Sequence, residues 1–258
     1  MAYYLWSSPR PFPGWLNMAV DVTLLDRAET GERWVRMYAW EPTLSFGRHE
    51  PVERRYDAAT IAALGLAVVR RPTGGRAVWH ADELTYAVAA PIDELGSLQD
   101  AYRRIHVWLR DALRALGAAA ELAPKTRAAG IDAGACFASP AGGEVVAAGR
   151  KVVGSAQLRQ GTAMLQHGSI LLDGDQAMVA RVTRGDVPPD GSISLRHAVG
   201  RAVSWEDAAA AVRECVQAAW GSPMLPEPEL IGRLVARAHA IGARFRSERW
   251  IWAGAAGG

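Results

Sequence analysis

Apolar residues return every three to four positions through GWLNMAVDVTLLDRAETG, placing Trp15, Met18, Val22 and Leu25 on one face of a helix that stops at Gly31. The period shortens to two in RWVRMYAWEPTLSFGR, which reads as two strands around a turn at Glu41 and Pro42. A short helix at 57–64, closed by Gly65, leads into the strand LAVVRR. Two more strand-like runs, RAVWH and LTYAVAAP, follow PTGG. The clearest helix is SLQDAYRRIHVWLRDALRALG. Ser97 is its N-cap with Asp100 at N3, and Leu98, Ile105, Leu109, Ala112 and Leu116 form an apolar stripe before Gly117. Over 144–173 strands return as EVVAA, a turn at Gly149, KVVGSAQLR, a turn at Gly161, and AMLQHGSILLD. From Asp175 onward helices dominate, notably SWEDAAAAVRECVQAAWG and PEPELIGRLVARAHAIG. The pattern predicts an α+β fold of mixed, largely antiparallel sheets flanked by helices, without βαβ repeats. Proline and glycine over 184–191 divide the chain into a main body, 1–185, and a short helical C-terminal extension, 186–258, expected to pack on the same domain.

Composition excludes several classes. Half of the 258 residues are hydrophobic and 22% are charged, which describes an ordinary globular protein with a large core. A net charge of +2, with no basic face, gives no reason to expect nucleic acid as a partner. No apolar run reaches the roughly 18 residues of a membrane span, and MAYYLWSSPR does not read as a secretory leader. With only two cysteines and no CxxC, a reduced cytoplasmic setting is expected, and neither cysteine has zinc-ligand spacing.

Candidate chemistry is confined to a few short stretches. Cys215 falls in register with Trp205, Ala208, Val212 and Ala219 on an apolar helical face and reads as an inert thiol. Cys136 stands instead in the small-residue loop DAGACFASPAGG, where it is either incidental or, beside a cation, a nucleophile. Of 29 basic residues only Lys125 and Lys151 are lysines, and Lys151 directly follows Arg150. Strand alternation sends these two to opposite faces. Lys151 is thus either a solvated hairpin residue or a compact charge aimed into a site. Gly154, Ser155 and Ala156 just after it offer close backbone approach. RRPTGGRAVWH is either a plain hairpin turn or a binding loop. Gly74 and Gly75 give it conformational freedom, and Arg70, Arg71, Arg76 and His80 supply donors. It matches neither a P-loop nor a dinucleotide fingerprint. His167, followed by Gly168 in LQHGSILLD, either bonds locally or lines the same pocket.

Taken in order, NMAVD, RRPTGGRAVWHADELTYAV, ACF and GRKVVGSAQLRQGTAMLQHGSILLD resemble the lipoate–protein ligase and octanoyltransferase superfamily over 17–173. The ligase-like octanoyl-acyl carrier protein:protein N-octanoyltransferases are the closest branch. The resemblance implies a biotin/lipoate protein ligase-like catalytic domain for 1–185. It implies transfer of an octanoyl group from acyl carrier protein to an enzyme cysteine, then to a lysine of a lipoyl domain or glycine-cleavage H protein. Carried over by motif, Cys136 is the acyl carrier, and Lys151 lowers its pKa and stabilises the tetrahedral intermediate. Arg71, Thr73, Gly74, Gly75, Arg76 and His80, with Gly154, Ser155, Ala156, His167 and Gly168, line the acyl pocket or hold the carbonyl.

Three other readings stay open. An ATP-dependent lipoate–protein ligase shares the fold but does not need a cysteine in ACF. An amidotransferase moving a lipoyl or octanoyl group between carrier proteins would use one. A non-catalytic acyl- or effector-binding module would need neither Cys136 nor Lys151. The transferase requires no cofactor, whereas ATP and magnesium enter only with the ligase. Expected partners are an acyl carrier protein donor and a lipoyl-type acceptor, with neither membrane nor metal involved.

Overall fold

The computed structural model describes residues 2–124, 143–187 and 190–254. Its main sheet has five strands in the order β1 (Tyr4–Phe12), β2 (Trp34–Trp40), β6 (Glu83–Pro91), β11 (Ala163–Leu171) and β10 (Val153–Gln160). β1 runs parallel to β2 and the other neighbours are antiparallel. A second sheet places β3 (Thr43–Phe46) between β4 (Ala67–Arg70) and β5 (Val78–His80). A third places β8 (Val145–Ala147) between β7 (Ala120–Leu122) and β9 (Arg150–Lys151). The long helices are α1 (Gly14–Glu29), α2 (Leu98–Ala115), α3 (Trp205–Trp220) and α4 (Pro228–Ile241). The expected α+β class of mixed sheets flanked by helices is what the chain adopts. Among the described residues no helix is long and apolar enough to cross a membrane.

Alternation along the central strands splits the core in two. Leu84, Tyr86, Val88 and Ala90 of β6 face α2 and α3, together with Val35 and Met37 of β2. Ala87 and Ala89 face the other way with Trp34, Tyr38 and Trp40, onto α1, Leu234 and Ala238 of α4, Phe245 and Trp250. α2 carries the expected capping box, Ser97 with Asp100, and buries Ile105, Leu109 and Ala112. α1 departs from the one-face reading, because it lies between the main sheet and α4 and is buried nearly all round. Trp15 and Val22 of the expected stripe belong to the half-buried fringe of that core, and the Trp15 ring meets His239 of α4 at 5.2 Å.

Two strand readings change. KVVGSAQLR is not one strand: Lys151 pairs with Val146 in the third sheet, and Val153 pairs with Ile170 in the main sheet. Val152 joins the two, donating to Val145 O at 3.1 Å and accepting from Leu171 N at 3.2 Å. β1 was not anticipated, since Pro9 and Pro11 lie within it. It is an edge strand whose register shifts between Ser8 and Pro11, a place where proline removes no needed donor.

The candidate active site

A narrow cavity opens on the α1 side of the main sheet, walled by Met18, Tyr38, Trp40, Arg71, His80 and His167, among others. Two buried polar networks build its wall. β6 and β11 are almost wholly buried, yet Glu83, Thr85, His167 and Ser169 interrupt their apolar runs. Such residues must find partners, because an unpaired buried polar group costs about 1–3 kcal/mol.

In the first network the tight turn between β5 and β6 brings His80 to Glu83. The Glu83 Oε1 atom accepts from His80 Nδ1 at 2.7 Å, Thr85 Oγ1 at 2.5 Å and Ser169 Oγ at 2.9 Å. That carboxylate fixes the proton on Nδ1, so His80 Nε2 accepts from Ser45 Oγ at 2.6 Å. Trp40 donates to Thr85 Oγ1 at 2.8 Å and stacks flat on His80, with ring centroids 3.9 Å apart. Burial holds the His80 imidazole below its ordinary pKa, against the pull of Glu83, so the ring is neutral at pH 7.

The second network grows from NMAVD, whose Asn17 and Asp21 lie one turn apart on α1 and are fully buried. Asp21 accepts from Arg36 Nη1 at 2.8 Å, Tyr38 OH at 2.7 Å and His167 Nδ1 at 2.8 Å. His167 Nε2 then meets Thr73 Oγ1 at 2.7 Å. Burial alone would raise the Asp21 carboxyl, but the bond from His167 and the charge of Arg36 outweigh it and hold it below its ordinary value.

The structure therefore brings Arg71, His80, Gly154, Ser155, Ala156, His167 and Gly168 together at one cavity. Thr73, Gly74, Gly75 and Arg76 do not line it. Thr73 stands behind His167, and the carbonyls of Gly74 and Arg76 accept from Arg71 Nη2 at 3.2 and 2.7 Å, holding its guanidinium at the cavity wall. The loop is pressed so close to Gly47 that a side chain there would come within 1.8 Å of Gly75 O. Arg70 is no free donor either. It clamps Gly47, Arg48 and Glu50 carbonyls to those of Ile251 and Trp252, tying the C-terminal segment to this loop.

Arg150 is exposed and Lys151 buried, as alternation requires. Lys151 does not line the cavity, however. Its Nζ donates to Glu144 Oε1 at 2.5 Å, on the third sheet. Cys136, the expected acyl carrier, lies outside the described residues. Cys215 is half-buried against the α2–α3 core, and burial raises its pKa, in keeping with an inert thiol.

Sequence reading missed Asp21, Arg36, Tyr38, Trp40, Ser45, Glu83 and Thr85 as site residues. The signal available was the polar interruption of continuously apolar strands. It also missed a third polar chain, on the α2 side of the sheet. Ser155 contributes to the cavity wall, but its hydroxyl turns to this opposite face, 2.6 Å from Tyr86 OH and 2.8 Å from His106 Nε2. Gly168 pairs with both Ser155 and Tyr86, and a Cβ there would come within 2.7 Å of Ser155 Oγ.

Residues 13–217 match the model of the lipoyl protein ligase A/B catalytic domain. The chain belongs to this family. Within the lipoyl ligase A/B family, it is 37% identical over 257 residues to the octanoyltransferase LipM of Kyrpidia tusciae, covering 91% of this chain and 93% of the relative. It is 42% identical over 179 residues to the octanoyltransferase LipM of Geobacillus kaustophilus, covering 65% and 64% of the two chains. Among solved structures, a lipoate–protein ligase A bound with ATP superposes with a TM-score of 0.80 at 19% identity, covering 98% of this chain and 99% of that one. A bipartite lipoate protein ligase from Thermoplasma acidophilum, studied with its E2 lipoyl domain, gives 0.78 at 18% identity, covering 98% and 96%. At that identity the likeness fixes the fold alone.

Proposed function

We propose that this chain transfers an octanoyl group from octanoyl-acyl carrier protein, through a thioester on Cys136, to a lysine of a lipoyl domain or glycine-cleavage H protein. The observation that carries the reading is the 37% identity to an octanoyltransferase along almost the whole of both chains. The cavity agrees with it. Its wall joins Met18, Trp40 and Val78 to a few fixed polar groups, the mixture that small-molecule sites use to bind and orient. Each methylene taken from water contributes roughly 0.8 kcal/mol, so an eight-carbon chain carries about 5 kcal/mol of binding energy for length selection.

In the first step the Cys136 thiolate adds to the donor thioester carbonyl. The tetrahedral oxyanion collapses, expelling the carrier's thiolate, which takes up a proton. In the second, the neutral ε-amine of the acceptor lysine adds to the acyl-enzyme, loses a proton, and expels the Cys136 thiolate as the amide forms. Thioester exchange is nearly isoenergetic and aminolysis runs downhill, so neither step needs ATP. The family resemblance gives Lys151 the role of stabilising thiolate and oxyanion, with an ammonium that Glu144 holds in place beside, not in, the cavity wall. The test is incubation with octanoyl-acyl carrier protein without ATP, followed by mass spectrometry of the protein. An octanoyl adduct on Cys136 that is passed to an apo lipoyl domain supports the reading. Acceptor modification that requires ATP and free acid, with no adduct on Cys136, overturns it.

A further inference from the structure

His106 has no place in the chemistry above, yet it is a fully buried histidine on α2 with both ring nitrogens engaged. Nδ1 faces Gly143 O at 2.7 Å. A carbonyl oxygen only accepts, so Nδ1 carries the proton. Burial, together with the neighbouring Lys151 charge, pushes His106 down to about 4, which keeps the ring neutral and leaves Nε2 an acceptor. Ser155 must then donate to His106, Tyr86 OH donates to Ser155, and Gln166 Nε2 donates to Tyr86 OH at 3.0 Å. Gln157 Nε2 extends the chain to Gln166 Oε1 and Leu98 O, both at 2.9 Å. Every bond in the series has one allowed direction, and it ends on the carbonyl of Gly143.

Gly143 directly precedes Glu144, the partner of Lys151. The third sheet, which carries this ion pair, is small, and β9 has only two residues. Its covalent link to the main sheet is Val152. Gly143 and Glu144 also exchange backbone bonds with Ala123, at 2.8 and 2.7 Å, inside that same small sheet region. Apolar packing of Ala120, Val145 and Ala147 and the bond from Arg114 Nε to Ala120 O seat the third sheet on α2, and His106 adds a hydrogen-bonded tie from Gly143 to α2 and, through Ser155, to the main sheet.

We propose that His106 is a positioning residue for acyl transfer: by holding Gly143 it sets where Glu144 places the Lys151 ammonium relative to the main sheet. The inference rests on the acyl-transfer reading. It predicts a split between the two ring nitrogens. In His106→Asn the side-chain amide stands near Nδ1 and keeps the bond to Gly143 O. In His106→Gln the amide reaches toward Ser155 and loses Gly143.

The experiment measures formation of the octanoyl-enzyme from octanoyl-acyl carrier protein for the full-length protein and both variants, with thermal unfolding alongside. The Asn variant is expected within about threefold of the parent kcat. The Gln variant should lose about tenfold to a hundredfold in kcat with the donor KM unchanged, because a shift near 1 Å in a reacting group has effects of that size. Combined with Glu144→Gln, which acts on the same charge, the loss should not multiply. A Gln variant as fast as the parent, or a Gln variant faster than Asn, overturns the proposal. So do variants whose losses of kcat simply follow their losses of thermal stability, or that lose kcat and donor affinity together, since His106 is then only a packing residue. If the parent itself forms no octanoyl-enzyme, the functional reading falls and takes this inference with it. A parent that acylates normally while its variants are unaffected sinks the inference alone.

Discussion

Replacing Asp21 by Asn tests the polar wall at its root. Three donors, Arg36 Nη1, Tyr38 OH and His167 Nδ1, converge on the two oxygens of a carboxylate with no solvent exposure. An amide offers one oxygen and adds two N–H groups of its own, so at least one donor loses its partner. Arg36 is itself only 1% exposed, and its charge would be left without a counterion. Removing one partner of a buried ion pair costs about 3–5 kcal/mol. For a protein of this size that corresponds to a fall of about 6–20 °C in Tm, measurable by calorimetry or circular dichroism. The pH dependence follows from the sign. The folded-state pKa of Asp21 is lowered, so its contribution is present above the unfolded value near 3.9 and is lost as pH falls through the folded one. The gap between parent and Asn variant should accordingly narrow on acidification below about pH 4. Adding Arg36→Met to Asp21→Asn removes the stranded charge and should recover part of the loss. A single variant within about 1 kcal/mol of the parent, or a double variant no more stable than the single, would refute the reasoning.

Gly168→Ala places a Cβ 2.4 Å from Gly154 O and 2.9 Å from Tyr86 Cε1, and should cost about 1–3 kcal/mol by urea unfolding as well as activity. Gly75 has a φ of +94°, whereas Gly74 has open space around it. Gly75→Ala should therefore lose about 1–2 kcal/mol, while Gly74→Ala stays within about 0.5 kcal/mol in the same assay. Lys151→Arg keeps the charge but puts a planar guanidinium where a compact ammonium meets Glu144. Octanoyl-enzyme formation should drop by at least about tenfold, and near-normal turnover would show that any cation serves.

What could be read from the sequence was whatever local pattern decides. The capping box and stripe of α2 are complete within one segment, so both were legible. The Gly-rich loop and the LQHGS strand are grouped only by the family resemblance, because they belong to different sheets and no local pattern places them side by side. The break in KVVGSAQLR was not legible, because Val152 switches sheets by bonding to Val145 and Leu171, residues whose proximity no local pattern states. Arg70 and Arg71 are neighbours of one type. Only the packing of the C-terminal segment makes Arg70 a clamp and leaves Arg71 at the cavity. His106 carries no local signal at all, since its partners, Gly143 and Ser155, come from distant segments.

Two acid–imidazole–hydroxyl series, Asp21–His167–Thr73 and Glu83–His80–Ser45, have the connectivity of hydrolytic triads, and their burial decides against that role. A nucleophilic hydroxyl must reach the substrate, but Ser45 is 0% and Thr73 1% exposed, and neither lines the cavity. Ser45 also accepts from Arg71 Nη1 at 2.5 Å, which occupies the oxygen that would attack. The imidazoles themselves are what the cavity meets. With the carboxylate on Nδ1 and the hydroxyl on Nε2, each ring has one allowed tautomer and one orientation, and no proton to trade with a ligand. The series therefore run outward from the cavity as supports. They make a rigid polar wall that binds and orients while leaving bond-making to a nucleophile from elsewhere in the chain. That is the division of labour an acyl transfer through a thiol requires.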